Sequence, residues 1–366
     1  MKPIHHSRSR KRRGIHHHRS TAITNDVIAT ASPKQSPILV TLFEYTAQSC
    51  IEKTLTIDEI SSYKIPAKTK LWLNVHGVHD ADLINKIGDK FKLHPLIIED
   101  ILNTGQRPKL DTFDDYLFLE ANCFHYDHEM LSISSEQISL VLDRNFVLTF
   151  QERAMGIFEP IRERLRKEHS QMRGLGVDCL AYAVLDTVVD TYFGVLDSMA
   201  DDCEALEDVL LSRPTNKELH DLHQLKRASI ELRRSVWPLR EVINHLTRNE
   251  TSFISPQTLP YMRDVYDHTV HFIESLEAQR DMLSGMMDIY LSTMSNRVNL
   301  EVRALTVVAM LFMPATLIAG IFGMNFHEMP WLADKNGFWW AMGLMAGIAI
   351  TMLLIFWRRQ WLTSKN

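Results

Sequence analysis

Several motifs that would provide catalytic or nucleotide chemistry are missing from this chain of 366 residues. Its four cysteines show no C-x-x-C or other ligand spacing, so we interpret them as reduced thiols of the core or surface. No GxxxxGK[ST] loop is available to bind nucleotide phosphates, and no nucleophile–base pattern stands out. We therefore expect a protein that is not an enzyme and binds no nucleotide.

The N-terminal region lacks acidic residues and the apolar core of a signal peptide. Residues 1–20 carry seven basic residues and five histidines, so we expect residues 1–36 to form a disordered, cytoplasmic, basic and histidine-rich tail. The histidines could bind soft metals, although a solvated tail is the simpler explanation. Removing seven positive charges from the net −5 leaves −12 for residues 21–366. This acidic body attracts cations, and we expect no nucleic-acid partner.

Charged residues are absent from two long C-terminal runs. These are "ALTVVAMLFMPATLIAGIF" (304–322) and "FWWAMGLMAGIAITMLLIFW" (338–357). About 20 apolar residues in a helix cross the hydrocarbon layer of a bilayer, so both runs are long enough to be transmembrane helices. Tryptophans at both ends of the second run are typical of the membrane interface. Buried helices of a soluble protein are the weaker alternative.

Basic residues flank the two runs mainly on their outer ends, whereas the link between the runs contains only Lys335. Arg297 and Arg303 precede the first run, and the tail over residues 358–366 contains Arg358 and Arg359. Positive charge favours the cytoplasmic side, so we expect both termini in the cytoplasm and the link over residues 323–337 outside.

The part of the chain before the two runs changes character along its length. Strand patterns such as "PILVTLFEY", "KLWLNVHG" and "SSEQISLVLDRNFVLTFQ" alternate with helical segments, which predicts an α/β or α+β domain over residues 37–155 in a chain of α+β class. Residues 156–255 have helical patterns only. Prolines are then absent between Pro260 and Pro314, so a stalk helix over residues 256–303 can continue into the first span without a break.

A stripe of mostly small or polar residues follows one face of this long helix at alternating steps of four and three. Its members are Asp288, Ser292, Ser295, Asn299, Val302, Thr306, Ala309, Met313, Thr316 and Gly320. Small residues allow close helix packing, and a polar face can also line a pore. We favour the pore for the first span and close packing for the second, which contains a GxxxG pair. Two helices enclose no water path, so a pore requires several copies in a ring.

The chain resembles the CorA family of Mg²⁺ channels and transporters, the metal ion transporters with two transmembrane helices and a GMN motif. The resemblance includes "HPLIIEDILNTGQRPKLDTFDDYLFLEANCF", "HQLKRASIELRRSVWPLREV" and "LFMPATLIAGIFGMNF". It implies a funnel-shaped homopentamer in a bacterial-type inner membrane. Each subunit would have a cytoplasmic α/β/α domain, a stalk helix and two C-terminal spans, of which the first lines the pore.

The same resemblance implies a role for individual residues of the ion path. Gly323, Met324 and Asn325 would form the selectivity filter, where five Asn325 amides bind the water shell of Mg²⁺ and Gly323 permits the backbone to turn at the helix end. Val302 and Leu305 would form an apolar constriction. The pore-lining set is Asp288, Asn299, Val302, Leu305, Ala309, Met313, Thr316 and Gly320.

Regulatory Mg²⁺ sites between neighbouring cytoplasmic domains are also implied. Asp100 and Asp264 would meet across the subunit interface, with Glu99 and Asp186 nearby. Bound cations would bridge these carboxylates, and their loss would loosen the interface and open the pore. Taken one at a time, each acid is also explained as an ordinary surface charge.

Some alternatives remain open at this level. Trp331 replaces an acid that often follows the GMN motif in the family. The function expected is Mg²⁺ influx down its electrochemical gradient, with Co²⁺ also possible. A carrier of Co²⁺, Ni²⁺ or Zn²⁺ is one alternative, and a membrane-anchored cation sensor without flux is another.

Overall fold

The computed structural model describes residues 38–66, 69–212, 214–248, 252–324, 335–359 and 361. The basic tail, Asn325 and Trp331 lie outside this set. The strands are β1 (Leu39–Tyr45), β2 (Cys50–Leu55), β3 (Lys70–His76), β4 (Lys109–Thr112), β5 (Tyr116–Asp127), β6 (Ser132–Asp143) and β7 (Phe146–Gln151). The helices are α1 (Ile57–Ser62), α2 (Ala81–Phe91), α3 (Pro95–Leu102), α4 (Glu159–Arg166), α5 (Gln171–Gly174), α6 (Val177–Ser212), α7 (Asn216–Thr247), α8 (Leu259–Phe322) and α9 (Gly337–Arg358).

All seven strands form one sheet in the order β2-β1-β3-β7-β6-β5-β4. Neighbouring strands are antiparallel except for β3 and β7, which are parallel. The edge strands β2 and β4 are absent from the sequence prediction. They are short and carry polar residues, as is typical of sheet edges, and it is pairing with β1 and β5 that makes them strands.

The sheet separates two hydrophobic cores, because successive side chains of a strand point to opposite faces. Phe43 and Trp72 point toward the core shared with α6, α7 and α8. Leu42 and Leu73 point toward the other core, which α2 and α3 cover. The predicted α+β class, with a three-layer domain built on a mixed sheet, is therefore confirmed. All four cysteines are free thiols, three of them buried and Cys50 partly buried.

Helices α6 and α7 form a long antiparallel hairpin beside α8. Thr215 and Glu218 form a capping box at the start of α7, in which each side chain accepts a hydrogen bond from the other's backbone amide. Tyr192 of α6 fills the space between the hairpin and the sheet, and its hydroxyl donates to the Asn122 carbonyl at 2.6 Å. The hairpin thus fixes the position of α8 relative to the sheet.

Helix α8 is a single element of 64 residues, which corresponds to a length of about 96 Å. This confirms the predicted long helix. Of the three described helices that are long and apolar enough to cross a membrane, α6 has 61% of its apolar window buried inside the protein, whereas α8 and α9 have 6% and 0%. The apolar parts of α8 and α9 therefore lack protein cover, as expected of segments surrounded by lipid.

Candidate ion pathway and cation-binding cluster

One face of α8 stays exposed along the whole apolar part of the helix. The less exposed residues there, including Val307, Leu311 and Pro314, recur at three- or four-residue steps, and α9 packs against α8. The eight residues of the predicted pore-lining set are all exposed: Asp288, Asn299, Val302, Leu305, Ala309, Met313, Thr316 and Gly320. The structure therefore places the set on a surface that nothing in the described chain covers.

The Thr316 hydroxyl has a defined orientation on this face. It donates a hydrogen bond to the Phe312 carbonyl at 2.9 Å, one turn earlier in the helix. Because the proton is engaged within the helix, the oxygen lone pairs remain available to accept hydrogen bonds from water. Thr316 can therefore contact the water shell of a hydrated cation.

Helix α8 ends at Phe322, and Gly323 follows it in a turn. Gly323 has φ −82° and ψ −6°, which is right-handed helical backbone, and its amide still donates to the Ala319 carbonyl. The backbone there is therefore not in the left-handed conformation that favours glycine. A Cβ at this position would lie 3.2 Å from the Ala319 carbonyl oxygen, which is a tight contact. Gly323 and Met324 are exposed, and Asn325 lies outside the described residues.

A second group of polar residues lies on the adjacent faces of α6 and α8. Asp186, Asp190 and His268 each place one possible metal-ligand atom within 4.8 Å of the others. Asp264 is one turn before His268, with 3.9 Å between its Oδ2 and the His268 Nε2 atom. Carboxylate oxygens and an imidazole nitrogen are a suitable ligand set for a divalent cation.

The pKa values of these acids reflect burial and mutual repulsion. Partial burial raises the pKa of Asp186, the Asp190 carboxylate raises it further, and the Tyr182 hydrogen bond and His268 act in the opposite direction. Burial also raises the pKa of Asp190, opposed by His268 and Arg164. Asp264 adds to the repulsion at Asp186. A bound cation would relieve this repulsion.

Asp100 of α3 is already occupied by two donors from its own chain. Its Oδ1 atom accepts a hydrogen bond from Gln106 Nε2 at 2.8 Å, and its Oδ2 atom lies 2.5 Å from Lys109 Nζ. Lys109 also faces the carboxylates of Asp111 at 3.8 Å and Glu120 at 3.9 Å. The Lys109 ammonium is thus shared by three acids.

Glu120 is the most buried member of this group, with its side chain only 1% exposed. Burial raises its pKa to about 7, against the lowering effect of the Lys109 charge. Its Oε1 atom accepts a hydrogen bond from Gln137, whereas the buried Oε2 atom has no hydrogen-bond partner in the described structure.

The four acids expected to bind regulatory cations fall into two places in one chain. Asp186 and Asp264 come together, whereas Glu99 and Asp100 lie on α3, and no hydrogen bond or ion pair among the described residues joins the two places. The sequence reasoning missed Asp190 and His268. Their spacing gave a signal, since each lies four residues after a predicted ligand and so on the same helix face.

Comparison with known proteins gives consistent matches over most of the chain. The family model described as "CorA-like Mg2+ transporter protein" matches residues 67–359. The cobalt/magnesium transport protein CorA of Thermotoga maritima is 41% identical over 310 residues, covering 85% of this chain and 88% of that protein. The putative metal ion transporter YfjQ of Bacillus subtilis is 29% identical and covers 88% of this chain and 98% of its own length.

Solved structures share the fold. The complete structure of the CorA magnesium transporter from Methanocaldococcus jannaschii has a TM-score of 0.75 at 21% sequence identity, with coverage of 88% of this chain and 98% of that chain. The structure of full-length CmaX has a TM-score of 0.68 at 19% identity and covers 89% of this chain and 99% of that chain. At these identities, the structures show the fold alone.

Proposed function

This chain belongs to the CorA-like Mg²⁺ transporter family, and on that premise we propose that it carries Mg²⁺ and Co²⁺ through a membrane along the exposed face of α8. It is a membrane protein and not an enzyme, as expected from the sequence. The relative from Thermotoga maritima is a cobalt/magnesium transport protein, for which these ions are substrates. In the proposal, Mg²⁺ has a second role as a regulatory ligand.

The observation that carries the proposal is the continuity of this face. The exposed residues extend from Asp288, outside the apolar part of α8, to Gly320 near its end. Moving a bare charge into hydrocarbon costs tens of kcal/mol, so a cation needs a water-filled path through the membrane. A continuous face of this kind, repeated around a ring of subunits, would line such a path. Val302 and Leu305, which are 56% and 71% exposed, would provide the apolar constriction.

The proposed assembly is a homopentameric funnel. A single hairpin encloses no channel, and the number five rests on the resemblance to the family. A shallow groove on α8, lined by Met313, Thr316, Gly320 and Met324 among others, is open in the single chain and would face the ring axis. Gly323, Met324 and Asn325 would surround the outer mouth, where amide oxygens can bind hydrated Mg²⁺ without removing its water.

The proposed orientation places both termini in the cytoplasm of a bacterial-type inner membrane. The basic flanks of the two apolar runs support it. An inside-negative potential then drives influx, since it supplies about 2.3 kcal/mol per charge per 100 mV and a dication gains twice that amount. No nucleotide is required.

The proposed gate uses cytosolic Mg²⁺ between subunits. Within one chain, no hydrogen bond or ion pair among the described residues joins Asp100 and Glu99 to Asp264 and Asp186. In the proposal, the first pair of one subunit approaches the second pair of the next subunit. His268 and Asp190 would add ligand atoms on the α6–α8 side. Cation loss would leave the carboxylates in mutual repulsion, which loosens the ring and opens the pore.

Ion flux into liposomes containing the purified protein tests the proposal. Asn325→Ala should reduce Mg²⁺ uptake at least about tenfold while the oligomer stays assembled, because the amide ring that binds the hydrate is removed. Asn296→Ala, an amide on α8 outside the stripe, is the matched control and should retain wild-type uptake.

The same assay separates the alternatives. Unchanged Mg²⁺ uptake in Asn325→Ala would contradict the pore assignment, and no uptake by the wild type would support a membrane-anchored sensor. Flux of Co²⁺, Ni²⁺ or Zn²⁺ in the absence of Mg²⁺ flux would support a transition-metal carrier. Each ion is tested with and without an inside-negative potential.

A further inference from the structure

The side chain of Lys109 occupies a position that a regulatory cation would need. Its Nζ atom lies 2.5 Å from Asp100 Oδ2, so this carboxylate is paired with a positive charge of its own chain. Gln106 engages the other oxygen, Oδ1, at 2.8 Å. A divalent cation that binds Asp100 directly through Oδ2 must therefore displace an ammonium group of the same chain.

The fold also provides a place for the displaced ammonium. Lys109 and Glu120 are direct partners in the antiparallel pair β4–β5, so their side chains leave the sheet at adjacent positions. Glu120 Oε2 is buried, lacks a hydrogen-bond partner and lies 3.9 Å from Lys109 Nζ. A small rotation of the lysine end would exchange the bond to Asp100 for one to Glu120.

We propose that Lys109 is a tethered competitor of the regulatory cation, bound to Asp100 when the site is empty and transferred to Glu120 when a divalent cation binds. The inference rests on the proposed function, because it requires Asp100 to be a cation ligand. Lys109 acts through Asp100 and is therefore a positioning residue. Its effect is to raise the Mg²⁺ concentration at which the ring closes.

The geometry explains why both partners of Lys109 are needed. Without Glu120, displacement of Lys109 would leave it with the half-exposed Asp111 at 3.8 Å, where water screens the interaction. With Glu120, the buried oxygen gains a partner at the moment that Asp100 loses one. A contact that occupies Asp100 for about nine-tenths of the time weakens apparent cation affinity about tenfold.

The test measures the Mg²⁺ concentration that gives half-maximal protection of the full-length protein from proteinase K, a protease that does not require lysine. Lys109→Met should lower this concentration about tenfold, because the competitor is lost while the length of the side chain is retained. Glu120→Gln should raise the half-maximal Mg²⁺ concentration severalfold, because the displaced ammonium of Lys109 would then pair with a neutral amide and not with a carboxylate. Lys109→Arg keeps the cation and should remain close to wild type.

Two further variants separate this inference from the proposed function. Asp100→Asn should lose Mg²⁺-dependent protection; if it does and Lys109→Met still matches the wild type within twofold, only the competition is overturned. If Asp100→Asn is protected like the wild type, both the competition and the proposed gate at Asp100 are overturned, whereas the proposed transport is tested separately by ion flux. Lys53→Met removes an ammonium paired with Glu44 at 3.5 Å and should change nothing.

Folding and simple charge effects are controlled separately. Lys109→Met leaves the buried Glu120 carboxylate without its neighbour, so the double variant Lys109→Met/Glu120→Gln removes both and should still require about tenfold less Mg²⁺ than wild type. The difference should persist in 0.5 M KCl at roughly its low-salt size, because a direct contact is screened far less than charges separated by more than about 10 Å. Disappearance of the difference at high salt would overturn direct competition.

Discussion

Glu136 illustrates how burial of a single carboxyl affects stability. It lies on β6 with 6% exposure, and its Oε1 atom accepts a hydrogen bond from the Arg153 amide at 2.8 Å. Burial raises its pKa to about 7 from an ordinary value of 4.5. The folded protein therefore binds this proton more tightly than the unfolded chain does.

The sign of the resulting pH dependence follows from linkage. Because the folded pKa is raised, the contribution of Glu136 to stability is fully present below pH 4.5 and is lost as pH rises through about 7. Glu136→Gln cannot lose a proton. Its free energy of unfolding relative to wild type should therefore increase by up to about 3 kcal/mol between pH 4.5 and pH 8.

Denaturant unfolding of the full chain in detergent across this pH range measures the difference. Glu129→Gln, an exposed acid in the β5–β6 turn, is the control and should show a constant difference from wild type. A constant difference for Glu136→Gln as well would mean that the buried carboxyl has an ordinary pKa.

At the scale of elements, α8 joins the packed sheet domain to the exposed apolar segment over which the pore is proposed. Phe272 is fully buried in the first quarter of this helix, and its ring centroid lies 5.5 Å from that of Tyr192 and 5.6 Å from that of Phe193. These contacts connect α8 to α6, so the position of the stalk depends on them. A change in this aromatic group should affect the whole domain and not only the stalk.

Phe272→Ala should lower the free energy of unfolding by about 3–5 kcal/mol, because it removes a large buried ring and leaves a cavity. Met130→Ala provides the comparison, since this side chain is 67% exposed and its loss should cost less than about 0.5 kcal/mol. Equal unfolding midpoints for the two variants would show that the α6–α8 contact does not hold the domain together.

At the scale of the whole molecule, the central expectation is that cations join neighbouring cytoplasmic domains. Asp264 is 61% exposed at the side chain in the single chain, so it is free to contact another subunit. Reversal of its charge should prevent a cation from bridging the interface, because a lysine repels the dication and can pair with the acids directly.

Asp264→Lys should therefore lose most of the Mg²⁺-dependent protection from protease that the wild type shows. Asp281→Lys, further along the exposed surface of the same helix, makes the same charge change away from the cluster and should keep this protection. Protection that is the same with and without Mg²⁺ in wild type and Asp264→Lys alike would refute the sensor role.

The sequence alone determined the features that depend on local pattern and length. The two apolar runs, the unbroken helix α8 and the alternating strands β1, β3, β5, β6 and β7 could all be predicted, because periodicity and the absence of proline act within one segment. The composition of the stripe on α8 was also visible, and the structure leaves nine of its ten members exposed and Thr306 half-buried.

Only the tertiary structure decided which distant residues meet. The polar strand β4 became a strand by pairing with β5, and this pairing placed Lys109 between Asp100 and the buried Glu120. Likewise, the packing of α6 on α8 brought Asp186 and Asp190 to His268. Asp186 and His268 are 82 positions apart in the sequence. The energy of such a contact depends on burial and on neighbouring charges, and neither can be predicted from the sequence pattern of one segment.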